Sequence, residues 1–127
     1  MIRWLQRVTF IVLAVITMGA GHQGNWERLG RLDVGPPADH DVLSVPRKVG
    51  PLKELMLESR GALELRDIVV TFDDSSTFKP RFDSQMGGRV KSQVLHLSGK
   101  RKKIRQIDFT YAPLHKKQGV QLIVSGR

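Results

Sequence analysis

Two stretches of this chain alternate apolar and polar residues and then slip by one position, and that pattern belongs to strands rather than helices. In Ile104 to Tyr111, Ile107, Phe109 and Tyr111 alternate with Asp108 and Thr110, the period of a strand with one buried and one wet face. Ile104 has the opposite parity, which predicts a β-bulge near Arg105 or Gln106 that lets both apolar sets face one core. The same slip recurs in Ala62 to Phe72. Leu63 and Leu65 are odd, Ile68, Val70 and Phe72 are even, and Arg66 and Asp67 stand between them. Two strands with a shared irregularity suit neighbouring positions in a twisted sheet.

The rest of the chain supplies further short strands between turn signals. Trp26 to Val34 reads as a first strand, with Gly30 marking a bulge or a close approach, and Val42 to Val45 as a second. Pro46 to Pro51 is a turn carrying Arg47 and Lys48. Leu52 to Glu58 could form a helical stripe through Leu52, Leu55 and Met56. Its bounds at Pro51 and Ser59-Arg60-Gly61 favour a strand with Leu55 and Leu57 inward. Asp74-Ser75-Ser76 is a turn and Thr77 to Pro80 a brief extended piece. Arg81 to Gly88 reads as a loop, Val90 to Leu97 as a strand with Leu95 and Leu97 inward, and Val120 to Val124 as a terminal strand. Seven or eight strands without a convincing helix predict an all-β fold, an antiparallel two-sheet β-sandwich of jelly-roll-like type.

Trp26, Leu29-Gly30, Asp39-x-Asp41, Gly50, Leu55 with Leu57 and Gly61 come first in a characteristic order. Val70-x-Phe72, Ser92, Leu95-x-Leu97 and Ile104-Arg105-x-Ile107-x-Phe109-x-Tyr111 follow. In that order the chain resembles a family of small exported bacterial β-sandwich proteins of unknown function. The resemblance spans nearly everything after residue 21. It implies the fold and export, and carries no activity with it.

Residues 1–21 read as a secretory signal peptide. Arg3 and Arg7 form a positive lead, Val8 to Met18 an apolar run short for a membrane span, and Gly19 and Gly21 fit cleavage before His22. An uncleaved N-terminal anchor is the competing reading. Residues 22–127 then form a single β-sandwich domain, exported to a periplasm or secreted, with no membrane span after cleavage. The chain has no cysteine, so this domain must stand on its apolar core without a disulfide.

Losing Arg3 and Arg7 takes the formal charge from +9 to +7. Such a surplus favours polyanions as partners, or serves solubility alone. Lys100, Arg101, Lys102, Lys103 and Arg105 concentrate it, and are the candidate anion-binding residues, since arginine grips phosphate or carboxylate bidentately and lysine adds a mobile charge. A solvated hairpin tip, or lysines guarding a strand edge, is the plain structural reading of the same residues. Lys116-Lys117 falls in the next turn, expected at the opposite end of the intervening strand, and Arg81, Arg89 and Lys91 could join either end.

Catalytic chemistry finds little footing. There is no cysteine and no Gly-x-Ser-x-Gly elbow. Serines 75, 76, 84 and 98 sit in turns, and His40, His96 and His115 are scattered. Glu27, Glu54, Glu58 and Glu64 fall on outward strand positions, which disfavours a paired-carboxylate glycosidase. Trp26, Phe78 and Phe82 remain for stacking on a sugar or base. No cofactor is expected. A structural calcium at Asp39 and Asp41, with Asp33 upstream, is one metal reading, against turn capping or pairing with arginine, and Asp73-Asp74 with Asp83 offers a second acidic loop. The expected protein is therefore a non-catalytic exported module that binds an anionic polymer in the envelope or outside the cell. The alternative is an accessory subunit docking on a protein partner by a sheet face or edge strand. Nucleic acid explains the charge too, but no recognised nucleic-acid motif accompanies it.

Overall fold

The computed structural model describes residues 25–35, 40–87, 91–98, 102–112 and 119–127. Among these are nine strands and no helix: β1 (Glu27–Val34), β2 (His40–Ser44), β3 (Glu54–Arg60), β4 (Leu63–Phe72), β5 (Thr77–Phe78), β6 (Gln85–Met86), β7 (Ser92–His96), β8 (Ile104–Tyr111) and β9 (Val120–Gly126). One sheet has the order β1-β9-β3-β7, the other β2-β8-β4-β5, with the two-residue β6 also pairing to β4. Every pairing is antiparallel. Set β6 aside and the ribbons β1·β9, β2·β8, β3·β7 and β4·β5 alternate between the two sheets, which is the eight-strand jelly roll. The segment Arg81 to Gly88, read from sequence as loop, contributes β6, and the terminal strand runs on past Val124 to Gly126.

The slips in parity are bulges, and both lie in one ladder. β4 and β8 are neighbours, as their shared irregularity suggested. Thr71 pairs with Gln106 and Phe72 with Ile104, so Arg105 is the extra residue of β8. Leu65 pairs with Tyr111 and Asp67 with Thr110, so Arg66 is the extra residue of β4. Each bulge sends an arginine to solvent and returns the next apolar residue to the core, so Ile104, Leu65 and Ile68 are all buried. Phe109, Ile68, Leu55, Leu57 and Leu95 are completely buried between the sheets. Segment 54–60 is a strand because the opposing sheet buries Leu55, Leu57 and Ser59 on one face, a period-two demand that overrides the helix propensity of its residues.

A third bulge lies in β1, where Leu29 is extra between Arg28 and Gly30. Gly30 serves close approach as well. A Cβ there would lie 2.6 Å from Leu43 Cδ1, so its bareness lets β1 cross close over β2. On the opposite side, β5 and β6 pair with the two ends of the same edge of β4, leaving that edge in two short pieces. The side-chain amide of Gln93 closes the flank beside it. Its Nε2 donates to the Asp83 carbonyl (2.9 Å) and its Oε1 accepts from the Asp83 N–H (2.8 Å).

Candidate functional site at the β8 entrance

The β2–β3, β4–β5 and β7–β8 connections turn at one end of the sandwich, and the residues leading into β8 touch the other two. The β4–β5 hairpin has a three-residue loop. Ser75 N–H donates to the Phe72 carbonyl, Phe72 N–H to the Ser76 carbonyl (2.9 Å each), and Ser75 takes the left-handed conformation such loops require (φ 73°). Asp74 caps this loop, its Oδ1 accepting from the Ser76 N–H (2.9 Å) and hydroxyl. Its Oδ2 lies 2.8 Å from Lys102 Nζ, which also donates to Ser76 Oγ (2.9 Å) and sits 5.6 Å from the centre of the Phe72 ring. The hydrogen bonds from Lys102 and Ser76 hold the Asp74 carboxyl well below the usual carboxylate range. A serine hydroxyl beside a lysine suggests a nucleophile and base, but Lys102 donates to Ser76 and Asp74 instead of accepting. The geometry is a clasp.

Lys103 joins the remaining loop. Its carbonyl accepts from the Asp73 N–H (2.9 Å) and its Nζ donates to the Arg47 carbonyl (3.0 Å), while Val45 N–H donates to the Arg105 carbonyl (3.0 Å). Arg47 and Lys48 occupy the middle of a turn closed by Val49 N–H on the Pro46 carbonyl (3.1 Å). The structure thus brings exposed Lys103 and Arg105 together with exposed Arg47 and Lys48, and commits Lys102 to Asp74. Lys100 and Arg101 lie outside the described residues. Arg47 and Lys48 were visible from sequence as turn residues. Their membership of this end depends on β2 pairing with β8, which residue spacing does not reveal.

The other sequence candidates part company. Lys91 precedes β7, at the opposite end of the sandwich from β8's entrance, Arg81 lies between β5 and β6 along the edge of β4, and Arg89, Lys116 and Lys117 lie outside the described residues. Asp41 points inward from β2. Its Oδ2 accepts from the Tyr111 hydroxyl (3.2 Å) in a buried contact. Burial first, then the charge and hydrogen bond of Asp41, push the Tyr111 phenol far above its ordinary range. Asp33 is on the outer face of the other sheet, beside Arg31 (3.6 Å), and Asp39 lies outside the described residues. Asp83 is bound through its backbone to Gln93, away from Asp73 and Asp74. Among the described residues no three His, Asp or Glu side chains converge as a metal site.

Of the aromatics considered for stacking, Phe78 and Phe82 pack against the core instead. Trp26 is covered by the Arg127 guanidinium, 4.2 Å from its ring. Arg127 Nε also bonds Glu54 Oε1 (2.8 Å), and His96 Nδ1 lies 3.3 Å from Glu54 Oε2. The hydrogen bond from Arg127 lowers the Glu54 carboxyl below its usual range.

No curated protein and no solved structure matches the chain. The profile of the family described as a domain of unknown function, DUF2541, matches residues 8–124, and the chain belongs to that family.

Proposed function

We propose that this protein is an exported, non-catalytic jelly-roll module that binds an anionic polymer of the envelope or extracellular space through the loop end at the start of β8. The observation that carries the reading is the division of labour among its cations. Lys102 is spent on Asp74, whereas Arg47, Lys48, Lys103 and Arg105 are exposed, held on neighbouring loops by the Lys103–Arg47 and Val45–Arg105 bonds. Cations on a stitched backbone lose less freedom on binding than cations on a floppy tip. Lys100 and Arg101 extend the same run in sequence.

The test is the binding of the protein, as isolated from cells, to a panel of polyanions differing in phosphate, sulfate and carboxylate content, across salt concentration. Tight binding to one of them is expected, falling with salt yet persisting near physiological strength. Replacing Arg47, Lys48, Lys103 and Arg105 by glutamine should weaken it at least about tenfold and flatten the salt dependence. Equal weak binding to every polyanion, or no response to the four substitutions, would reduce the charge to a solubility feature.

A further inference from the structure

β7 is the last strand of its sheet, and among the described residues no strand pairs with its outer side. Leu97 N–H donates to the Lys53 carbonyl (3.0 Å) and Ser59 N–H to the Lys91 carbonyl (2.9 Å), so the odd-numbered residues of this ladder face β3. Direction alternates along an antiparallel strand, and the N–H and C=O groups of Ser92, Val94 and His96 therefore point away from the sheet. Among the described residues nothing pairs with them.

This edge strand carries no charge of its own. In a chain of net charge +9, Ser92 to Leu97 carries no Lys, Arg, Asp or Glu. Val94, at the centre of the strand, is 41% exposed on the outer face and lies beside its half-buried partner Met56. Glu58 stands opposite Ser92, and Glu54, paired with Arg127, stands opposite His96. The other edges are defended: β1 carries Arg28, Arg31 and Asp33, and the β5/β6 edge is broken. β2 also exposes a valine, Val42 at 38%, but its neighbour on β8 is Asp108.

We propose that a second copy of this chain docks on this edge, by antiparallel pairing of β7 with β7 about a two-fold axis at Val94. The register is self-complementary. The outward N–H and C=O of Val94 meet their own counterparts, and Ser92 faces His96 of the second copy. The central row reads Met56, Val94, Val94, Met56, an apolar strip crossing the junction. The rows beside it read Glu58, Ser92, His96, Glu54, with no like charges directly opposed. Among the described residues of the two paired strands, this register sets no cation directly opposite a cation. Pairing joins two four-stranded sheets into one of eight and sends the basic loop ends to opposite poles.

Sedimentation velocity of the full protein across a concentration series reads the association directly. Dimers that dissociate on dilution are expected. Val94→Lys, which places two lysines face to face, should raise the dissociation constant at least about tenfold, while Val42→Lys leaves it unchanged. Val94→Cys reports the register by another route. In a chain without cysteine it should form a disulfide-linked dimer when a thiol oxidant such as oxidised glutathione is added, since hydrogen-bonded strand partners have Cα atoms about 5.5 Å apart. A monomer at every concentration overturns the proposal, even if another protein binds the edge. A dimer indifferent to Val94→Lys, or one that links as readily through Val42→Cys, overturns it as well.

Discussion

The two halves of the segment that enters and forms β8 obey different physics. From Ile107 to Tyr111 the chain is the middle of a wall. Its alternate residues vanish into the sandwich, and its neighbours β2 and β4 fix it on both sides. From Lys102 to Arg105 it lies at a crossroads of loops, where one lysine is tied by its side chain, the next by backbone and side chain together, and an arginine is bulged out to water. In the first half packing fixes the inward residues, with the buried Tyr111–Asp41 hydrogen bond at its end. In the second half two adjacent lysines of the same chemistry have different fates, because only one of them meets a carboxylate.

The sharpest way to break this contrast is to cut into the wall. Phe109→Ala removes a side chain completely buried between the sheets and should cost about 3 kcal/mol or more, read from chemical denaturation. Deleting Arg105, the extra residue of β8, leaves Ile104 in plain alternation with Ile107 and opposite Phe72, and should cost far less. A near-neutral Phe109→Ala would mean that the inward face of this strand does not carry the fold.

A smaller effect is expected at the far end of the strand. Tyr111→Phe removes a buried donor from Asp41 and should cost about 1 kcal/mol near neutral pH. The same substitution should change the alkaline limb. Because folding raises the phenol's pKa, the neutral ring contributes its full stability below the unfolded value of about 10, and that contribution is lost as pH rises beyond it. Wild type should therefore lose stability more steeply than Tyr111→Phe in alkali. Parallel curves would mean that the phenol ionises as easily folded as unfolded.

The least effect on stability, and the best separation of the two lysines, comes from Lys102→Gln set against Lys103→Gln. The Asp74 carboxyl is lowered in the folded state, so its contribution is present above the ordinary carboxylate range and fades as pH falls through it. Lys102→Gln should lower the thermal midpoint slightly at neutral pH and flatten the acid limb, leaving polyanion binding nearly intact. Lys103→Gln should do the reverse. If both variants behaved alike, the clasp at Asp74 would have no separate role.

Much of this architecture was legible because a sheet writes its period into its residues. The slips near Arg105 or Gln106 and across Arg66-Asp67 announced two bulges, which the ladder places at Arg105 and Arg66, the common slip suggested the β4–β8 neighbourhood, and Gly30 stood at a real bulge and close crossing. Leu52 to Glu58 was harder, because its side chains suit a helix and only its punctuation argued for a strand. The candidate site was less legible. Arg47 and Lys48 joined it and Lys102 was diverted from it through contacts 26 to 56 positions apart along the chain. Phe78 and Phe82 looked available for stacking, yet they fill the flank beside the core.

Sequence by itself determined the strand periods, the bulges, the excess of positive charge and the uncharged character of Ser92 to Leu97, because these are properties of neighbouring residues. Tertiary structure alone decided which loops share an end, which cation is neutralised and which edge is left open. Those depend on strand order, and strand order is set by long-range pairing that no local run of residues records.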